Sequence, residues 1–128
     1  LSPPPDLNPM WFRNHAAYTI TKYGMSMLTA GWAEELRPSN IAANALWPKT
    51  TIATAAVKNL LGGEMLWNRS RHPQIVADAA HAILKRSSKD CTGNFFIDED
   101  VLRTEGITDF EHYAVNPGSD LQKDLFIN

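Results

Sequence analysis

Two side chains one helical turn apart carry the chemistry of this chain. Tyr18 and Lys22, in Tyr18-Thr19-Ile20-Thr21-Lys22, stand four residues apart and so share a helix face. A free phenol, with a pKa of about 10, is too weak an acid to exchange protons at neutral pH. An ammonium held about 5 Å away, at an effective dielectric near 20, favours the phenolate by about 3 kcal/mol, or about 2 pH units. That brings the phenol into the range where general acid–base catalysis works best. The ammonium has a second use, donating to ribose hydroxyls. The same step also describes an ordinary surface pair, so its surroundings decide between the two.

The surroundings begin with the helix itself. Apolar periodicity predicts a helix from about His15 to Arg37, stopped by Pro38. Met25, Leu28, Trp32 and Leu36 form one stripe, which is either core or an interface with a second subunit. Before it, Pro3, Pro4, Pro5 and Pro9 make residues 1–12 a loop. After it, Ile41-Ala42-Ala43-Asn44-Ala45-Leu46-Trp47 reads as a strand buried on both faces and ended by Pro48. Thr50–Thr54 is a loop leading into a short helix that ends at Gly62-Gly63.

A second firm helix spans Pro73 to Lys85, with Pro73 in first position and Ile75, Val76, Ala79, Ala80 and Ile83 on its buried face. Thr92-Gly93 turns into a strand, Asn94–Asp98. The spacing of Thr108 and Glu111 predicts a short helix start. The tail from Asn116 shows turn chemistry and little periodicity. Helix, strand, helices, strand makes an α/β layer fold with parallel strands. Two strands are too few for a stable sheet, so its neighbours belong to sequence outside this chain or to another chain.

In order and spacing, Ala17-Tyr18-Thr19-Ile20-Thr21-Lys22-Tyr23-Gly24-Met25, Glu34-Glu35-Leu36, Ile41–Pro48 and Thr92–Asp98 resemble the short-chain dehydrogenase/reductase superfamily. Leu1–Pro4, Trp11-Phe12, Ala45–Thr50 and Gly93–Glu99 resemble its hydroxysteroid dehydrogenase-like branch more narrowly. The resemblance implies one partial catalytic domain over residues 1–128, the C-terminal half of a Rossmann-type doubly wound parallel sheet. It implies hydride transfer between NAD or NADP and an apolar alcohol or carbonyl substrate.

By that resemblance Tyr18 is the general acid/base. Lys22 lowers the phenol pKa and holds the nicotinamide ribose. Pro48, the backbone of Ile52 and the Thr54 side chain lie against the cofactor. Ser2 is the candidate helper serine, although the natural alignment puts Pro3 at that position, and Ser2 reaches the substrate only if the proline-rich loop bulges. The resemblance also implies a homo-oligomer that pairs through the Tyr18–Leu36 helix.

The chain departs from the family at three places. Lys49 follows Pro48 where glycine is commoner. Asp98-Glu99-Asp100 replaces Asp-Gly-Gly. No glycine-rich phosphate loop occurs, and Gly62-Gly63 does not replace it. The dinucleotide-binding half is therefore expected to be absent, and Leu1 in place of an initiator Met is expected to mark a truncated or processed product. The rival reading is a non-catalytic fragment or pseudoenzyme that acts by pairing with full-length relatives.

Composition excludes several classes. Net charge is −2 and the basic residues are scattered, so no nucleic-acid partner is expected. No apolar run is long enough for a membrane span. One cysteine, Cys91, excludes an internal disulfide, fits a reducing compartment and has no local activating partner. The expected location is intracellular and cytoplasmic, with mitochondrial or peroxisomal placement open. His15, His72, His81 and His112 show no metal spacing. Asp98-Glu99-Asp100 reads as a solvated acidic turn.

Overall fold

A computed structural model describes all 128 residues, Leu1–Asn128. The chain enters through a 3-10 turn, Pro9–Trp11, in which the Asn8 side chain accepts from the Met10 amide at 3.1 Å. Helix α1 (Ala16–Glu35) follows and ends before a second 3-10 turn, Arg37–Ser39, at Pro38. Asn40 then adopts φ 57° and reverses the chain. Strand β1 (Ala45–Trp47) pairs in parallel with β2 (Phe95–Ile97), in register Ala45 to Phe95, Leu46 to Phe96 and Trp47 to Ile97. The crossover between them carries α2 (Gly63–Asn68) and α3 (Gln74–Leu84). Helix α4 (Asp98–Thr104) starts directly from β2.

Alternation along β1 divides the interior in two. Leu46 points into a core of Ile75, Ala79, Val101, Leu102, Phe110 and Tyr113, built largely from α3 and α4. Trp47 points the other way, into an aromatic cluster with Trp11, Tyr23 and Phe126. That second cluster supports the Tyr18 end of α1.

Three local expectations need correction, and one open alternative is decided. The first strand covers only Ala45–Trp47, not residues 41–47. Asn44 closes the pairing early with its side chain, whose Oδ1 accepts from the Asn94 amide at 3.0 Å and whose Nδ2 donates to the Cys91 carbonyl at 2.8 Å. The short helix before Gly62-Gly63 ends there as expected, with Gly62 as its C-cap, and a second helix starts at once. A wide π-helical turn, Val57–Leu61, runs into α2, and Gly63 takes φ 60°, where glycine is favoured.

Pro73 caps α3 from outside its first turn. Thr108 starts no helix; Asp109 instead accepts from the Glu111 amide at 2.9 Å and sets a 3-10 turn, Glu111–Tyr113. The stripe on α1 is not core in this chain. Met25, Leu28 and Trp32 are 42%, 53% and 49% exposed. The face that α1 buries instead carries Thr19, Tyr23, Ser26 and Ala33: Thr19 donates to the Trp11 carbonyl, Ser26 donates to the Pro3 carbonyl at 2.6 Å, and Tyr23 joins the aromatic cluster. No helix is long and apolar enough to cross a membrane.

Candidate active site

Tyr18 and Lys22 share one face of α1, as their spacing requires. The Lys22 ammonium lies 5.7 Å from the centre of the Tyr18 ring and 5.4 Å from the Trp47 ring. It therefore sits over aromatic faces, where ring quadrupoles attract a cation. Tyr18 is 45% exposed and within reach of a reactant. Its other neighbour is Phe126, stacked with centroids 6.3 Å apart and planes 7° apart.

The expected acidity of Tyr18 is reversed in this chain. Partial burial, and next the Asp124 carboxylate, push the phenol above its ordinary value of 10.0. The ammonium itself lies over the Tyr18 and Trp47 ring faces. Asp124 is itself pushed up to about 6, chiefly by burial; Asp98 adds to the rise, while the Leu125 amide and Lys22 oppose it.

The segment after β1 carries the other candidate residues. Pro48 is buried, Ile52 is partly buried and Thr54 is exposed. Arg71 pairs with this segment through the Thr51 carbonyl at 2.9 Å and the Ala53 amide at 2.8 Å, and the amide and carbonyl of Ile52 make no backbone hydrogen bond. Lys49, the departure from glycine, turns its ammonium towards Glu99 at 3.0 Å and Asp100 at 3.6 Å. Its amide donates to Asp98 Oδ1 at 2.9 Å.

The acidic run 98–100 is not a solvated turn. Asp98 and Glu99 are buried at the start of α4, where the helix dipole favours negative charge. Glu99 accepts from Arg71 at 2.7 Å, Arg103 at 2.8 Å and Lys49 at 3.0 Å. These partners hold its carboxyl at about 2 against the opposing pull of burial. Asp98 Oδ2 is buried without a partner, and burial raises the Asp98 pKa. Only Asp100 faces solvent. No group of three or more His, Cys, Asp or Glu side chains is arranged to hold a metal ion.

Ser2 lies elsewhere. It is buried in a small pocket with Met25, Leu28, Thr29, Trp32, Asn44 and Ala45, which Tyr18 does not line. Its neighbour Pro3 accepts from Ser26, two helical turns beyond Tyr18. Two groups at the site were not identified from the sequence, Asp124 and Phe126. Both lie in a tail whose turn chemistry gave no periodic signal.

The parallel pair, the crossover helices and a Tyr/Lys face at the end of β1 are those of part of a short-chain dehydrogenase fold. Along its whole length the chain is 56% identical to hydroxysteroid dehydrogenase-like protein 2 of Xenopus laevis and 52% identical to the human protein of that name. It spans about 30% of the length of each.

Among solved structures, a short chain dehydrogenase from Mycobacterium thermoresistibile is 50% identical with a TM-score of 0.89. A Xanthomonas campestris protein described as a dehydrogenase is 48% identical with a TM-score of 0.92. The chain is covered completely in both comparisons and spans 45% and 46% of those chains. No family profile matches it.

Proposed function

We propose that residues 1–128 are the catalytic, C-terminal portion of an NAD(P)-dependent oxidoreductase acting on an apolar alcohol or carbonyl compound. The observation that carries this reading is the exposed Tyr18 ring with the Lys22 ammonium 5.7 Å from its centre, on one face of α1 beside the end of β1. The relatives' names support the same class.

The residues fit the nicotinamide end of the cofactor. The unpaired backbone groups of Ile52, the exposed Thr54 hydroxyl and the Lys22 ammonium would hold it beside Pro48, and the bound nicotinamide supplies or accepts the hydride. Tyr18 gives its proton to the carbonyl oxygen in reduction and takes one back in oxidation. The raised phenol pKa keeps Tyr18 protonated at neutral pH, which suits the reductive direction. Ser2 remains the candidate for a second hydrogen bond to the substrate oxygen, a role that requires the proline-rich loop to move.

The test is Tyr18→Phe in the enzyme completed with a dinucleotide-binding half. Turnover should fall by about a thousand-fold or more while cofactor affinity changes less than two-fold, because acid–base groups contribute about 10²–10⁴-fold. An unchanged rate would remove Tyr18 from this role.

One observation favours a second reading, pairing through α1 without catalysis. Met25, Leu28 and Trp32 form an exposed apolar stripe on a helix whose other face is buried. The two readings separate on turnover, which pairing alone does not supply.

A further inference from the structure

Lys22 is half-buried on α1, yet its ammonium makes no side-chain hydrogen bond and no ion pair. Lys49 and Lys58, by contrast, each meet a carboxylate at 3.0 Å. What Lys22 meets is aromatic: the Tyr18 ring centre at 5.7 Å and the Trp47 ring centre at 5.4 Å. Tyr18 stands one turn away on the same helix and is brought there by the four-residue step. Trp47 comes from a different element, the end of β1.

The Trp47 ring has little freedom. It is 5% exposed, and its indole N–H donates to the Leu125 carbonyl at 2.8 Å. It packs against Phe126 with centroids 5.9 Å apart and planes 60° apart. Its backbone is held by the pairing of β1 with β2, where it stands opposite Ile97. A ring locked in this way offers a stationary face, and a cation rather than an apolar group lies over it.

We propose that Trp47 is a positioning residue for Lys22: its fixed ring face holds the ammonium beside Tyr18 and leaves the charge and the N–H donors to a ligand. The proposal deepens the reading of Lys22 as the residue that holds the nicotinamide ribose, and rests on that reading for its ligand. The geometry of the pair stands without it.

A ring suits this task better than a carboxylate. A lysine stem has many rotamers, and freezing it at the moment of binding costs affinity. A carboxylate would also freeze it, but would offset its charge and occupy its donors. A ring quadrupole attracts the cation without cancelling its charge. The attraction strengthens where water is partly excluded, as it is around half-buried Lys22.

The experiment is ¹H–¹³C NMR of the full-length protein labelled with ¹³C-lysine, the Lys22 signal being assigned by its loss in Lys22→Met. In the unmodified protein the Lys22 ε-methylene protons should lie upfield of the ordinary lysine position, because ring faces shield them. Trp47→Leu should return the signal much of the way, and Trp47→Phe should leave it displaced. Affinity for NADH and NADPH is followed by cofactor fluorescence. For whichever binds the unmodified protein, the dissociation constant should rise about three- to thirty-fold in Trp47→Leu and less than about three-fold in Trp47→Phe. Both variants lose the indole bond to Leu125, so the difference between them reports the ring.

An ordinary Lys22 position in the unmodified protein overturns the proposal, and that measurement needs no Trp47 variant to fold. An unmoved signal in Trp47→Leu, or a moved signal with unchanged affinity, also overturns it. Equal losses of affinity in the two variants assign Trp47 a purely structural role and overturn it too. If neither cofactor binds the unmodified protein, the reading of the Lys22 ligand fails and takes the ligand role of Trp47 with it. If a cofactor binds and Tyr18→Phe abolishes turnover while the Trp47 variants change nothing, the Trp47 proposal alone fails.

Discussion

Glu99→Gln tests whether the buried ion network fixes the segment that carries Lys49. The carboxylate is nearly inaccessible and is shared by Arg71, Arg103 and Lys49 at 2.7–3.0 Å. Its folded pKa is about 2 against an ordinary 4.5. At about 1.4 kcal/mol per pH unit, that difference corresponds to about 3 kcal/mol at neutral pH, reduced to about 2–3 by the solvent around Lys49 and Arg103.

Removing the charge also leaves the Arg71 guanidinium, buried and already lacking a partner at Nε, without its counter-ion. The expected loss at pH 7 is therefore about 2–4 kcal/mol, read from urea unfolding followed by tryptophan fluorescence. The sign with pH is fixed. A carboxyl whose pKa is depressed by folding stabilises fully above about 4.5, and that contribution fades as pH falls towards 2. The gap between native and variant should shrink to less than half by pH 3. A loss under about 1 kcal/mol at pH 7, or a gap that does not narrow on acidification, would refute the account of the network.

Three other outcomes are expected. Ile75→Ala, at a residue with 0% exposure in the α3 core, should destabilise the fold by about 2–5 kcal/mol, visible as a lowered urea midpoint. Asp124→Asn should stabilise the fold by about 1–2 kcal/mol at pH 7–8, because a carboxyl raised to about 6 on folding stabilises fully below about 3.8 and loses that contribution as pH rises through 6; equal stability of native and variant at pH 8 would contradict this. On the reading in which α1 pairs copies of the chain, Trp32→Glu on the exposed stripe should lower the particle mass in light scattering without lowering the unfolding midpoint, and an unchanged mass would remove α1 as a pairing surface.

The sequence made α1 legible because its apolar steps, Met25 to Leu36, recur over about three turns and Pro38 stops them. It made Tyr18 and Lys22 legible because a four-residue step fixes a shared face whatever surrounds the helix. Three features were hidden for different physical reasons. Helix α4 carries Asp98, Glu99 and Asp100 in its first turn, a composition that also describes a wet loop; only Lys49 and Arg71, 50 and 28 residues upstream of Glu99, reveal that the charges are buried. The late start of β1 goes with side-chain bonds from Asn44 to partners about 50 residues away, and strand propensity carries no such information. Phe126 and Asp124 sit in an aperiodic tail, and the ring of Phe126 reaches Tyr18 only through a left-handed backbone that nothing in an Asp-Leu-Phe run announces. The acidity of Tyr18 follows first from its partial burial and then from Asp124, and a four-residue spacing shows neither.

The sheet holds one further consequence. β1 is hydrogen-bonded to β2 along one edge only, and its other rim lies beside an apolar groove bordered by Trp32, Ile83 and Leu84. A strand paired on one side only and bordered by apolar side chains can take a further strand wherever that side opens. Preparations of the isolated chain should therefore gel or precipitate according to how crowded they are, well below the temperature at which the fold melts. Dilution or a short capping peptide will preserve them better than cooling.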